Sequence, residues 1–305
     1  MNLSALLMIL SGLLLAPLLT GVVNRVKAVF AGRRGVPLLQ QYRDIVKLLR
    51  KGAVFSRTTT WVFRLAPSLT LACVTVSFLL LAPSAVLPGW GFAGDFLLFA
   101  YLLGLARFMT VAAALDTGSS FEGMGASRDV LYSALAEPAL LIGMATLAKV
   151  SGGDSFAGIF QGLGTCWGEA GTALALVGVS FFIVLLAENS RIPFDDPNTH
   201  LELTMVHEVI VLDSSGPDFA LVTCGASLKL WVFASLFALL VISPLRLGGL
   251  ALVAAYHGAM LLAGVLIGTI ESTMARLRLL QTPHLLAGAG ALSILAFILA
   301  SRFVQ

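Results

Sequence analysis

The stretch LSALLMILSGLLLAPLLTGVV, residues 3–23, runs for 21 positions without an ionisable side chain. A helix rises about 1.5 Å per residue and the lipid hydrocarbon is about 30 Å thick, so roughly 20 apolar residues cross it. No basic residue precedes the run and no small-residue cleavage site follows it, so it reads as a retained span and not a signal peptide. Further runs fall at about 65–87, 96–115, 130–150, 171–188, 221–243, 248–270 and 285–301. Each must be helical, because lipid offers no partner to an open backbone N–H or C=O. Over all 305 residues, 58% are hydrophobic and 11% charged, against about 25% charged in soluble domains. A soluble enzyme, a disordered chain and a nucleic-acid-binding domain are excluded. The expected fold is an all-α polytopic membrane protein, one membrane domain over residues 1–305, with about eight transmembrane helices.

The basic residues orient these spans. Ten of the 19 lie in the stretch joining the first two: Arg25, Lys27, Arg33, Arg34, Arg43, Lys47, Arg50, Lys51, Arg57 and Arg64. Arg128, Arg191, Arg276 and Arg278 sit in or beside loops 3, 5 and 7, while loops 2 and 4 hold none in their interiors. The positive-inside rule then places loops 1, 3, 5 and 7 in the cytoplasm and both termini outside.

Within loop 1, apolar residues recur at helical spacing across residues 36–49, with Arg43, Asp44, Lys47 and Arg50 on the other side. That pattern predicts an amphipathic helix at the membrane surface, serving as a basic anchor or as a docking platform. Loop 3, LDTGSSFEGMGASRD at 115–129, is glycine-rich but has no Walker spacing. It is expected to be a tight connection with paired charges, Asp116 and Arg128 among them. Loop 5, residues 187–218, carries seven of the 16 acids, Glu188, Asp195, Asp196, Glu202, Glu208, Asp213 and Asp218, against the single base Arg191. A short helix near residues 200–212, apolar yet dotted with ionisable groups, fits a segment folded into a protein-lined cavity better than a solvated loop.

Metal chemistry finds little footing. Cys73, Cys166 and Cys224 form no C-x-x-C pair. His207–Glu208 opens like a zincin motif, but Val211 stands where the second histidine belongs. His200 and His207 are two turns apart, a poor chelate spacing. No catalytic residue and no metal ligand is assigned. The chemistry lies instead in charges placed within or beside the spans: Arg107, Glu137, Glu188, Lys229 and Glu271. Such groups are costly and mark either ion pathways or structural pairs. Glu137 is followed by Pro138, whose missing N–H frees a carbonyl in the preceding turn and makes room for water beside a carboxyl.

Several stretches together resemble one family: GRRGVPLLQQYRDIVKLLRK (32–51), LDTGSSFEGMGASRD (115–129), AEP (136–138), ENSRIPFDDPNTHLELTMVHE (188–208), SLK (227–229) and ESTMARLRL (271–279). This order resembles the respiratory subunit 1 superfamily of complex I, on its hydrogenase branch with the membrane subunits of formate hydrogenlyase and hydrogenase-4. The quinone-reducing branch usually shows an acid followed by Tyr-Ser-Gly at the end of loop 5, whereas Asp213 here precedes Ser214, Ser215 and Gly216. Gln41 stands where proline is common.

The resemblance implies a non-catalytic inner-membrane subunit that docks a hydrophilic redox arm and couples electron transfer to proton or sodium movement. It implies partners: hydrogenase large and small subunits, a ferredoxin-like subunit, antiporter-like membrane subunits and lipid. The nickel–iron centre and iron–sulfur clusters would sit in those partners and no cofactor in this chain. Glu137, Glu188, Glu202, Glu208, Asp213, Lys229 and Glu271 are the proton-path candidates. Arg33, Arg34, Gln40, Asp44, Lys47, Asp195 and Asp196 are the arm-docking candidates. Asp116, Arg128 and Arg191 are the charge-pair candidates. A quinone-site subunit of a complex I-like oxidoreductase, a stand-alone ion transporter and a plain anchor are the competing readings.

Overall fold

The computed structural model describes residues 3–87, 89–195, 207–278 and 281–303. Among them the chain is helical, without strands: α1 Leu3–Phe30, α2 Gln40–Leu49, α3 Trp61–Leu81, α4 Asp95–Asp116, α5 Ser120–Ser151, α6 Phe156–Glu188, the single turn α7 His207–Ile210, α8 Gly216–Ile242, α9 Gly249–Thr273 and α10 Thr282–Phe303. All but α2 and α7 are long and apolar enough to cross a membrane, which gives the eight spans that hydropathy predicts.

Two helices far exceed their expected runs. α5 has 32 residues and α6 has 33, each near 50 Å at about 1.5 Å per residue. The connection expected over 115–129 shrinks to a turn at Thr117–Ser119, where Gly118 takes φ +70° and the Thr117 hydroxyl donates to Ala114 O at 2.8 Å. Hydropathy misses the start of α5 because its polar side chains meet protein. Buried Glu122 accepts from the Thr117 hydroxyl and, at 3.0 Å, from the Asp213 N–H. The first half of α6, rich in glycine, is held by packing on the short turns after α3 and α8, and bends at Ala170.

α8 is the central element, packed against α1, α2, α3, α6 and α9. α3 pairs with α4, α5 and α6 with α10, and α1 with α9. The last pair is close because α9 offers Gly264 and Gly268: a Cβ at Gly268 would lie 2.7 Å from Val26 Cβ. Small residues at such spacing let membrane helices approach where hydrophobic burial gives no drive.

The connections sort into two ends by direct bonds. At one end Thr60 N–H donates to Asp116 at 2.6 Å, joining loops 1 and 3. Ser215 Oγ donates to Val54 O at 2.8 Å, joining loops 1 and 5, and Leu277 N–H donates to Pro193 O at 3.0 Å, joining loops 7 and 5. Gly216 sits at this junction with φ +53°, and a Cβ there would lie 2.5 Å from Gly52 O. At the other end Gly94 N–H reaches Asp154 O at 2.7 Å and buried Asp95 caps α6 by accepting the Phe156 N–H at 2.8 Å. Loops 1, 3, 5 and 7 thus form one face, and loops 2, 4 and 6 share the other with the start of α1 and the end of α10.

Loop 1 holds a helix, α2, shorter than the expected 36–49 and starting three residues after Pro37. Ile45 is buried, while Leu39, Val46 and Leu49 are exposed. Tyr42 OH donates to Leu14 O, and the Gln41 amide spans Thr20 of α1 and Ser227 of α8.

Candidate functional site

A guanidinium on a spanning helix survives only with partners. Arg107 of α4 has three carboxylates. Its Nη2 donates to Glu188 Oε2 and its Nη1 to Glu137 Oε1 at 3.1 Å, while Nε lies 3.3 Å from Asp129 Oδ2. Lys229 Nζ on α8 lies 3.0 Å from the same Glu188 oxygen. Glu188, with 5% of its side chain exposed, therefore bridges both cations. Asp129 and Glu137 stand eight residues apart on α5, two turns along one side. Their positions differ in solvent access: Glu137 is 47% exposed on the flank of the isolated chain, and Asp129 faces inward. Two cations against three carboxylates leave one negative charge to spare.

His207 of α7 is set beside it. Its backbone N–H donates to Asp195 Oδ2 at 3.3 Å. Burial draws its imidazole below the usual 6.5; Asp129 and Asp195 pull it up, and Lys229 and Arg191 push it further down. The unfolded chain accepts a proton near pH 6.5 that the folded chain refuses. Stability is therefore flat above about pH 6.5 and falls as the pH drops below it. A thermal midpoint that falls between about pH 7 and pH 5 in the parent, and less in His207→Gln, is the expected result. Parallel profiles would refute it.

A second network lies at the end carrying loops 1, 3, 5 and 7. Glu271, whose side chain is fully buried, meets Lys27 of α1 at 2.8 Å and Arg191 of loop 5 at 3.4 Å. Arg276 of loop 7 meets Asp195 at 3.0 Å. These pairs staple loop 5 to loop 7 and to α1.

Three cavities connect the networks. One of about 80 Å3 contains Arg107, Asp129, Glu188 and His207 in its wall. It shares Glu188, His207 and Lys229 with a chamber of about 230 Å3. That chamber shares Thr20, Gln41 and Arg191 with a cleft of about 1180 Å3 beneath α2, open at the face of loops 1, 5 and 7. The three cavities thus adjoin in sequence from that face to the Arg107 network.

The predicted site residues divide accordingly. Glu137, Glu188 and Lys229 fall in the Arg107 network, and Glu271 and Arg191 in the second. Glu208 lines the middle chamber. Asp213 is exposed and gives only its N–H, to Glu122. Asp116 accepts from the N–H and hydroxyl of Thr60, while Arg128 donates to Met124 Sδ at 3.2 Å. Arg33, Gln40, Asp44 and Lys47 line the cleft, and Arg34 accepts a hydrogen bond from Arg25 through its backbone oxygen. Asp196, His200 and Glu202 lie outside the described residues. Reading the sequence misses Asp129 and Lys27 as partners. The eight-residue spacing of Asp129 to Glu137 is the signal that could find the first. Among the described residues no group of three or more His, Cys, Asp or Glu is placed to hold a metal.

An ion-pair network buried among α4, α5, α6 and α8, fed from a platform of odd-numbered loops, also has relatives. The chain matches the family described as NADH dehydrogenase over residues 3–301. It belongs to this family. Formate hydrogenlyase subunit 4 of Escherichia coli (strain K12) is 32% identical over 292 residues, 93% of each chain. Hydrogenase-4 component C of the same organism is 33% identical over 293 residues, 94% of this chain and 91% of the relative. NADH-ubiquinone oxidoreductase chain 1 of Triticum aestivum is 29% identical over 247 residues, 74% of this chain and 72% of its own length. The fold recurs in the membrane-bound sulfane sulfur reductase, an archaeal respiratory membrane complex, at a TM-score of 0.78, 19% identity and 98% coverage of both chains. Within the NADH dehydrogenase family the two near full-length Escherichia coli relatives place the chain on the hydrogenase branch, as the quoted motifs imply.

Proposed function

We propose that this chain is the non-catalytic membrane subunit of a hydrogenase or formate hydrogenlyase-type complex in the cytoplasmic membrane. It docks the redox arm on the face of loops 1, 3, 5 and 7 and couples electron transfer to proton or sodium movement. The observation that carries the reading is the series of adjoining cavities from that face to the Arg107 network. Charge supports the orientation: the face dense in Lys and Arg lies inside and both termini outside. The exposed cations of loop 1, with Gln40, Asp44, Lys47 and α2 at the membrane surface, form the platform, and buried Asp195 holds loop 5 beside it through Arg276. The partners are hydrogenase large, small and ferredoxin-like subunits, which hold the nickel–iron and iron–sulfur centres, and antiporter-like membrane subunits. The half-exposed Glu137 carboxylate, on a flank that lipid would penalise, supports a membrane partner there.

The test is Glu137→Gln in the intact complex in sealed vesicles. The complex assembles and turns over electrons, and ions moved per electron fall towards zero. An unchanged ratio would overturn the relay role. The chamber of about 230 Å3, with Phe219, Val222, Ala226 and Leu230 beside the polar groups Lys229, Arg191 and Asp195, favours one second reading, a quinone headgroup site. Inhibition of the purified complex by a quinone analogue would support that reading over the first.

A further inference from the structure

Between α6 and α9, with α8 as its floor, an apolar groove of about 390 Å3 opens sideways from the bundle. It runs from Trp167, at the end carrying loops 2, 4 and 6, down to Ile270, and its walls are hydrocarbon and aromatic rings. A pocket of about 280 Å3 adjoins its upper end. The two spaces meet at one wall. The Trp167 indole donates to Ser243 Oγ at 2.6 Å, and Ser243 lines the pocket.

The pocket is polar where the groove is not. Arg246, Gln161 and Thr165 line it. Arg246 is the only basic residue in the connections of that face. Its Nε donates to Gly164 O at 2.8 Å, which fixes the guanidinium, and among the described residues its two terminal nitrogens meet no acceptor. A fixed cation with donors to spare, a tryptophan at the membrane interface and a narrow apolar trough below specify an amphiphile with an anionic head. A partner helix, about 10 Å across, is too wide to sink into this groove and would leave those donors unused; one acyl chain fits.

We propose that this surface is a binding site for an anionic phospholipid of the leaflet on the side of loops 2, 4 and 6. Its phosphate sits on Arg246 and one acyl chain lies along α6 and α9.

The test is native mass spectrometry of the full chain in mild detergent with phosphatidylglycerol, phosphatidylcholine or inorganic phosphate. Phosphatidylglycerol should be retained about fivefold over phosphatidylcholine and should not be displaced by inorganic phosphate. Arg246→Gln should abolish the preference and Arg246→Lys should keep most of it. Gly178→Leu should lower retention of both lipids. It adds a side chain to the groove wall where a Cβ meets only Leu240 Cδ2, at 3.7 Å, so the fold tolerates it. Equal retention of the two lipids by the parent would overturn the proposal. So would displacement by phosphate, indifference to all three variants, or a photocrosslinker at Val179 that captures polypeptide in native membranes.

Discussion

Glu188→Gln is expected to unfold or badly destabilise the bundle and to abolish coupled ion movement. The carboxylate, itself buried, joins the largely buried Arg107 to the partly exposed Lys229. Without it two cations share one small cavity, with Asp129 and Glu137 holding only the arginine. Breaking a buried pair by removing one partner typically costs about 3–5 kcal/mol, because the survivor stays desolvated and unpaired. The thermal midpoint of the solubilised chain is the measurement. The double variant Glu188→Gln/Lys229→Met restores the charge match and should recover most of the stability. The two changes are then strongly non-additive, as contacting residues are. It should not recover ion movement, since the group between the middle chamber and Arg107 is gone. A double variant that folds and couples normally would reduce the network to a structural tie.

How much of this is legible in the sequence follows from what each signal measures. Hydropathy reports lipid contact, and it places the eight spans correctly. It says nothing of the first ten residues of α5, where protein bonds the buried Glu122, or of the first fifteen of α6, where packing on the turns after α3 and α8 holds a glycine-rich helix. Charge bias sorts the loops into two sets. The bonds Thr60–Asp116, Ser215–Val54 and Leu277–Pro193 sort them identically, because opposite ends of a span cannot touch. The in-span charges are visible as anomalies, but pairing is not: nothing local says that Arg107 takes Glu188 from a helix 81 residues away. Proximity in the chain points Asp116 towards Arg128. The structure turns it to Thr60, whose N–H and hydroxyl open α3. A backbone N–H at a helix start is a fixed donor, whereas a long arginine must be immobilised to compete.

The second large effect falls on loop 5. Glu271→Gln should release that loop from α1 and from loop 7, and with it the grip on a redox arm. In the parent the fully buried carboxylate balances Lys27 and Arg191. With the neutral amide, two cations face each other across α9, and the cheapest relief is for Arg191 to swing out and carry loop 5 with it. That opening strains the neighbouring Leu277–Pro193 hydrogen bond and the Asp195–Arg276 pair. The cost is about 3 kcal/mol, borne locally and not by the whole bundle, because the Arg107 network does not depend on Glu271. Hydrogen exchange separates the two cases. Amide protection should collapse around residues 190–195 and 274–278 while α4, α5 and α8 keep theirs. Pull-down of arm subunits should fall in parallel. Lys27→Met/Glu271→Gln removes the repulsion and should return both protection and docking towards the parent. Salt offers the final discrimination. Raising ionic strength weakens the exposed platform of Arg33, Arg34 and Lys47 but leaves the buried Glu271 pairs largely unscreened. Docking that fails in salt while loop 5 stays protected therefore assigns the loss to the platform. Loss of protection in Glu271→Gln at low salt assigns it to the staple, and a variant that keeps full protection would remove Glu271 from any part in holding loop 5.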